Sequence, residues 1–311
     1  MRRRTLPEKL AIAATLLATS CSSDHRVSPW GAQAGPSFAA FAPRPDLEAR
    51  LATIDGETSA LGLARSFELR VELPRKGGPA VIRGYEGQDV AGRPVHAVRV
   101  ATPLGVVMAV GPLDAHELDR RVATRIVPAL VGGGPKGDEV GAFRTGTDLN
   151  GDGRLDVVVR DDAGALAVWH FDGLGSGAYE VVMEAPPTRG ADLDADGHVD
   201  LEGELPVARG DAIAPRLRDV ATFADGRYSD ATPAARAWHR QRARAATAGS
   251  SARDDGARLR AALERAWHTI LAGERPVENV LAELRKEPVP PLLRSAFDRH
   301  VYTIAALRPI R

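Results

Sequence analysis

The sequence predicts a mainly β protein, α+β overall, and three observations carry that prediction. Apolar residues alternate with charged ones through residues 67–73. An aspartate- and glycine-rich segment occurs twice, and each copy runs into a short apolar stretch. Beyond residue 254 the apolar spacing changes from two to three and four, the change that separates strand from helix. At 311 residues the chain can hold one large domain or a few modest ones. Lys+Arg and Asp+Glu are equal at 41, so no overall affinity for nucleic acid or another polyanion follows. The balance hides a segregation: residues 138–230 hold 20 acids against 8 bases, and residues 231–311 hold 15 bases against 8 acids.

Taken in order, residues 1–20 read as an export signal of the lipoprotein type. Arg2, Arg3, Arg4 and Lys9 form a basic start, residues 10–18 an apolar core, and Ala18-Thr19-Ser20 a small-residue exit. The apolar core is far below the roughly 20 residues a membrane-spanning helix needs. Cys21 follows at once and is the one cysteine of the chain, so no internal disulfide forms. A lone cysteine at that point resembles the lipobox of bacterial lipoproteins, although Ala18 stands where that family usually has leucine. The resemblance implies lipidation of Cys21, with an ordinary cleaved signal as the alternative. Ser22 in second place resembles the outer-membrane-sorted class. Residues 21–45, with Pro29, Pro36, Pro43 and Pro45, read as a flexible tether.

Residues 46–137 read as a β-rich region with one helix. Phe67, Leu69, Val71 and Leu73 alternate with Glu68, Arg70 and Glu72 as in a half-buried strand, and the apolar runs at 80–82, 95–102 and 106–110 read as further strands. Residues 113–130 read as the helix, capped by Asp114, and the glycine run at 132–137 as a linker. Residues 231–311 read as a helical segment. Leu259, Ala262, Leu263, Ala266, Trp267, Ile270 and Leu271 mark one face, Asp254 or Asp255 a cap and Gly273 a stop. Pro276 opens a second helix, and Leu293, Phe297, His300, Val301 and Ile304 mark a third. These stripes call for a covering surface, most simply the β region. The run Arg236, Arg240, Arg242 and Arg244 reads as a solvated helix face.

The region 138–230 carries the chemistry. Gly146, Asp148, Leu149, Asp152, Gly153 and Asp156 recur 44 residues on as Gly190, Asp192, Leu193, Asp196, Gly197 and Asp200. A repeat of that period suits blade-sized β units. Oxygen side chains stand at alternate positions: Asp148, Asn150, Asp152 and Asp156, then Asp192, Asp194, Asp196 and Asp200. Position seven, Arg154 or His198, supplies a backbone carbonyl rather than its side chain. Calcium takes six to eight oxygens from a loop able to wrap around it, and glycine at position six permits the bend. Without a cation the carboxylates repel one another. Two calcium sites are therefore expected, magnesium being the poorer fit. The loops are not EF-hands, because Val159 and Gly203 stand where a bidentate glutamate is needed.

A DxNxDGxxD loop running straight into a strand resembles the FG-GAP/VCBS repeats of integrin-type β-propellers, over residues 142–228. The resemblance implies β-propeller-blade-like calcium-loop repeats, although two copies fall short of the four to eight blades that close a ring. No enzyme chemistry is legible. The histidines show no HExxH pairing, and Ser176 has its glycines at the wrong offsets for a nucleophile elbow. The expectation is a lipid-anchored calcium-binding module of the cell envelope, in the Gram-negative outer membrane, with a protein or glycan partner. The alternatives are a calcium-dependent hydrolase of envelope polymers or glycans and a purely structural envelope protein.

Overall fold

The computed structural model describes residues 46–74, 77–113, 125–131, 140–207, 211–249 and 254–307. The signal-like segment, Cys21, the tether, the glycine run at 132–137 and residues 114–124 lie outside the described residues. No helix among the described residues is long and apolar enough to cross a membrane.

The chain opens on a helix that periodicity does not reveal. Helix α1 (Leu47–Ala60) starts where the Asp46 carboxylate accepts the Ala49 N–H at 2.8 Å, and it buries only Leu51, Ile54 and Thr58. Strands β1 (Ala64–Leu73), β2 (Gly78–Gln88), β3 (Pro94–Thr102) and β4 (Gly105–Val110) then form an antiparallel meander. In β1 the alternation read from sequence is the observed burial pattern: Phe67, Leu69 and Val71 are half-buried between exposed Glu68, Arg70 and Glu72.

The helix expected over 113–130 is corrected at its C-terminal end. Residues there are strands β5 (Arg125–Ile126) and β6 (Ala129–Val131). Pro128 has no N–H for a helical ladder, and Ile126 and Leu130 enter two different cores. Strand β6 pairs with β7 (Val140–Arg144). Strand β5 joins β8 (Leu155–Arg160), β9 (Leu166–Phe171) and β10 (Ser176–Ala178) in the order β10-β9-β8-β5. A further sheet has the order β11-β15-β14-β13-β12, built from β11 (Val181–Val182), β12 (Pro187–Ala191), β13 (Asp200–Glu204), β14 (Arg218–Ala224) and β15 (Arg227–Ser229).

Successive side chains of a strand point to opposite faces, so β8 shows how these sheets stack. Val157 and Val159 pack with Leu73, Ile82, Val98 and Val100 of the first meander. Val158, on the other face, packs with Leu201, Ala221 and Tyr228 of the last sheet. The sheet holding the first aspartate loop is thus buried on both faces, and Asp156 is carried inside with its neighbours. The layers run α1, meander, central sheet, last sheet and then helices, with no closed propeller among the described residues.

Helices α2 (Pro233–Gly249), α3 (Asp255–Leu271), α4 (Val277–Leu284) and α5 (Arg294–Ala305) follow, with α2 against β14 of the last sheet. Helix α3 begins at the cap Asp254, and Gly273 adopts φ +68° just past its end. The apolar stripes join Ile213 and Leu217 in one core, and Val220 meets Ala235 and Trp238 in another. Meander, repeat region and helical tail lie in one compact unit spanning Arg44–Arg311.

Candidate metal centre

The two aspartate loops are local copies in hydrogen bonding as well as in sequence. In the first, Leu149 N–H donates to Asp156 Oδ2 at 2.8 Å and Asp152 N–H to Asn150 Oδ1 at 3.2 Å. Gly153 N–H donates to Asp148 Oδ2 at 2.8 Å and Arg154 N–H to Asp152 Oδ1 at 2.9 Å. The same four bonds recur at the 44-residue offset. They run from Leu193 to Asp200 (2.8 Å), Asp196 to Asp194 (3.2 Å), Gly197 to Asp192 (3.1 Å) and His198 to Asp196 (2.8 Å). Each loop is a chain of short side-chain-to-backbone turns that aspartate and asparagine favour.

The bend needs left-handed backbone at two positions. Gly153 and Gly197 have φ +83° and +88°, as position six was expected to require. Two residues earlier the first copy has Gly151 at +77°, whereas the second has Ala195 at +67°, a conformation that strains an L side chain.

Both loops are anchored by apolar residues in a shared core, Leu149 from one and Val199 from the other. They also touch directly. Val199 N–H donates to the Leu149 carbonyl at 2.7 Å, and the His198 ring lies against Gly151, where a Cβ would come within 2.5 Å of it. Strand pairing holds the second loop closed, since Ala191 and Asp200 face each other across β12 and β13.

Not all the predicted oxygens converge. In the second loop Asp192, Asp194 and Asp200 bring one carboxylate oxygen each within 4.8 Å of one another, the one acidic cluster of this kind among the described residues. Asp196 lies outside that trio. In the first loop Asp152 Oδ2 accepts a 2.5 Å bond from the Tyr179 hydroxyl. Asp156 is fully buried, and its Oδ1 has no hydrogen-bond partner among the described residues, as is also true of Asn150 Nδ2. The Arg154 guanidinium lies 3.3 Å from His170 Nδ1.

Sequence reasoning missed the aromatic wall behind the loops. Tyr179, Phe223 and Tyr228 pack edge to face, at 5.1 to 5.9 Å between ring centres. Burial and the negative charges of Asp156, Asp200 and Asp152 push the Tyr228 hydroxyl upward in pKa. No spacing signal points to these tyrosines, because Tyr179 comes from the link between β10 and β11 and Tyr228 from β15.

Residues 148–201 match an FG-GAP-like repeat. The FG-GAP-like match begins on the first oxygen residue of the first loop and ends one residue past Asp200, so it spans both loops and the strands between them. No curated protein and no solved structure matches the chain.

Burial pushes the Asp156 and Asp200 carboxyls up to about 7, and neighbouring aspartates add to the shift. A carboxyl raised above its unfolded value of about 3.9 stabilises the fold below that value, and the contribution is lost as pH rises through about 7. Burial pushes His268 down to about 2, which works the other way below its usual value of about 6.5. In calcium-free buffer, Asp156 and Asp200 are each expected to contribute about 2 kcal/mol of added stability on acidification from pH 7 to pH 5, with Asp230, also pushed up to about 7 by burial, acting in the same direction and His268 against it. Thermal melts of the protein and of Asp156→Asn/Asp200→Asn check this. A rise of equal size in the double variant would show that the two carboxyls are not its source.

Proposed function

We propose that each loop binds one calcium ion and that the ions lock the stacked sheets together, in a lipid-anchored protein of the cell envelope. The observation that carries the reading is the trio Asp192, Asp194 and Asp200, with oxygens within 4.8 Å of one another. Oxygens held at 2.3–2.6 Å from a calcium ion lie at most about 4.6–5.2 Å apart, so the three fit one ion. In the first loop Asp148, Asn150, Asp152 and Asp156 would hold the second ion. The unpartnered Oδ1 of Asp156 is the group that most needs a cation, since a buried unsatisfied carboxylate is costly. The ion supplies positive charge that offsets the mutual repulsion of these carboxylates.

The FG-GAP-like match supports a repeat of the FG-GAP/VCBS type, serving as a binding or scaffold module for a protein or glycan partner, with no nucleic acid involved. The signal-like start and Cys21 support attachment to the outer membrane. Titration calorimetry is expected to find two calcium ions in the full chain and one in either Asp152→Ala or Asp194→Ala. A heat-silent titration at millimolar calcium would remove the metal reading. Detergent partitioning lost in Cys21→Ser supports the anchor, and unchanged partitioning removes it.

A further inference from the structure

A second assembly of polar residues lies away from the loops, where the helices meet the last sheet. His239 of α2 and His268 of α3 are 29 residues apart in sequence, yet their Nδ1 atoms approach to 2.9 Å. His239 Nε2 lies 3.2 Å from Asp219 Oδ1 on β14. All three residues are buried. The other Asp219 oxygen accepts the Glu184 N–H at 2.5 Å, so the carboxylate is fixed in place. The chain Asp219–His239–His268 ends at a cavity of about 520 Å³ lined by Arg216, Arg218, Arg242, Arg260, Glu264 and His268.

The charges of that cavity are unbalanced. Arg218 is paired with Glu202 at 3.2 Å and Glu204 at 3.5 Å. Arg242 lies over the Trp238 ring at 4.9 Å, and Glu264 accepts the Arg216 backbone N–H at 2.8 Å. Arg216, Arg242 and Arg260 form no ion pair among the described residues. Three such guanidinium groups around one cavity suit an anion with several oxygens.

The buried chain narrows the choice of anion. The Asp219 carboxylate can only accept, so it assigns the proton of His239 to Nε2. His239 Nδ1 is then an acceptor and takes the Nδ1 proton of His268. That leaves His268 Nε2, the ring nitrogen not committed to His239, with a lone pair. Burial and the cations around it hold this imidazole neutral. A carboxylate has no proton to give that lone pair. A singly protonated phosphate has one, and keeps its other oxygens for the arginines.

We propose that this cavity binds a phosphate group, with Arg216 and Arg260 as its principal cations and His268 Nε2 accepting the P–OH proton. A soluble phosphomonoester and a phosphatidate headgroup present the same oxygens. The site is independent of the calcium loops. When the proton transfers fully, His268 Nε2 gains it, the Nδ1 proton passes to His239, and the resulting imidazolium stays paired with Asp219.

The test uses the full chain with phenyl phosphate as probe and acetate as comparator. Calorimetry is expected to show saturable binding of phenyl phosphate and none of acetate. Arg216→Gln/Arg260→Gln alters exposed side chains and should leave the melting temperature unchanged while weakening binding about tenfold or more. The ¹⁵N signal of His268 Nε2 should move toward the protonated range when the probe is added. Vesicles of phosphatidylcholine with and without phosphatidate separate the two sources. Capture that requires phosphatidate and is lost in the double variant identifies a lipid headgroup, and probe binding without capture identifies a soluble ligand. Absence of saturable probe binding, equal affinity in the double variant, or equal affinity for acetate overturns the proposal.

Discussion

Calcium at a hundredfold excess over its dissociation constant is expected to raise the melting temperature by about 10 °C or more over the chelated protein. A ligand that binds only the folded state at that excess stabilises it by about 2.7 kcal/mol per site, so two sites give about 5 kcal/mol. For a folded unit of this size each kcal/mol moves the midpoint by about 2–4 °C. Two features of the loops are the reason to expect strong coupling. Asp156 and Asp200 are the first residues of their strands to be fully enclosed, and the two loops share the Leu149–Val199 contact. An ion in the first loop would tie β7 to β8, and one in the second would tie β12 to β13. Asp152→Ala/Asp194→Ala should lose the calcium-dependent part of the shift. Magnesium at equal concentration should restore little, because it demands a tighter octahedron than a flexible loop supplies. Identical melts of the wild type in calcium and in chelator would mean that these loops are bare turns.

Removing the indole of Trp267 is the second large effect. Trp267 is fully buried in the core that joins α3, α4 and α5 to Ile213 and Leu217, and its Nε1–H donates to the Arg218 carbonyl at 2.6 Å. Trp267→Ala leaves a large cavity and an unpaired carbonyl at the start of β14. The expected cost is about 3–5 kcal/mol, again a shift on the order of 10 °C. Leu292→Ala is the matching control, since Leu292 is 97% exposed and its removal should not be felt. A chain ending at Thr232 would leave Ile213, Leu217 and Val220 without their covering helices and is expected to be insoluble. If Trp267→Ala melted with the wild type, the helical tail would not be part of the cooperative unit.

The readable parts of this sequence are those where a local period fixes a local structure. Alternation in β1 and the three- and four-residue stripes of α3 to α5 both appear in the structure. Helix α1 escaped because its buried stripe is only Leu51, Ile54 and Thr58, too sparse to stand out from its polar neighbours. Residues 125–131 misled because one short apolar stretch serves two cores, and Pro128 was the signal against a helix. The arginines of α2 are not a plain solvated face. Arg242 stacks on Trp238 and borders a cavity, and Arg236 Nε is buried.

By itself the sequence determined the two aspartate loops, their 44-residue offset and the left-handed position six, because eight or nine consecutive residues are enough to close such a turn. The tertiary structure alone decided that the loops sit side by side, that Tyr179 reaches Asp152, and that Asp192, Asp194 and Asp200 converge in the second loop. It alone brought Asp219, His239 and His268 into one buried line. The physical reason is the range of the forces that place each group. A turn is set by the backbone angles and hydrogen bonds of its own residues, whereas a contact between strands or helices is set by which apolar faces share a core, and no spacing along the chain records that choice.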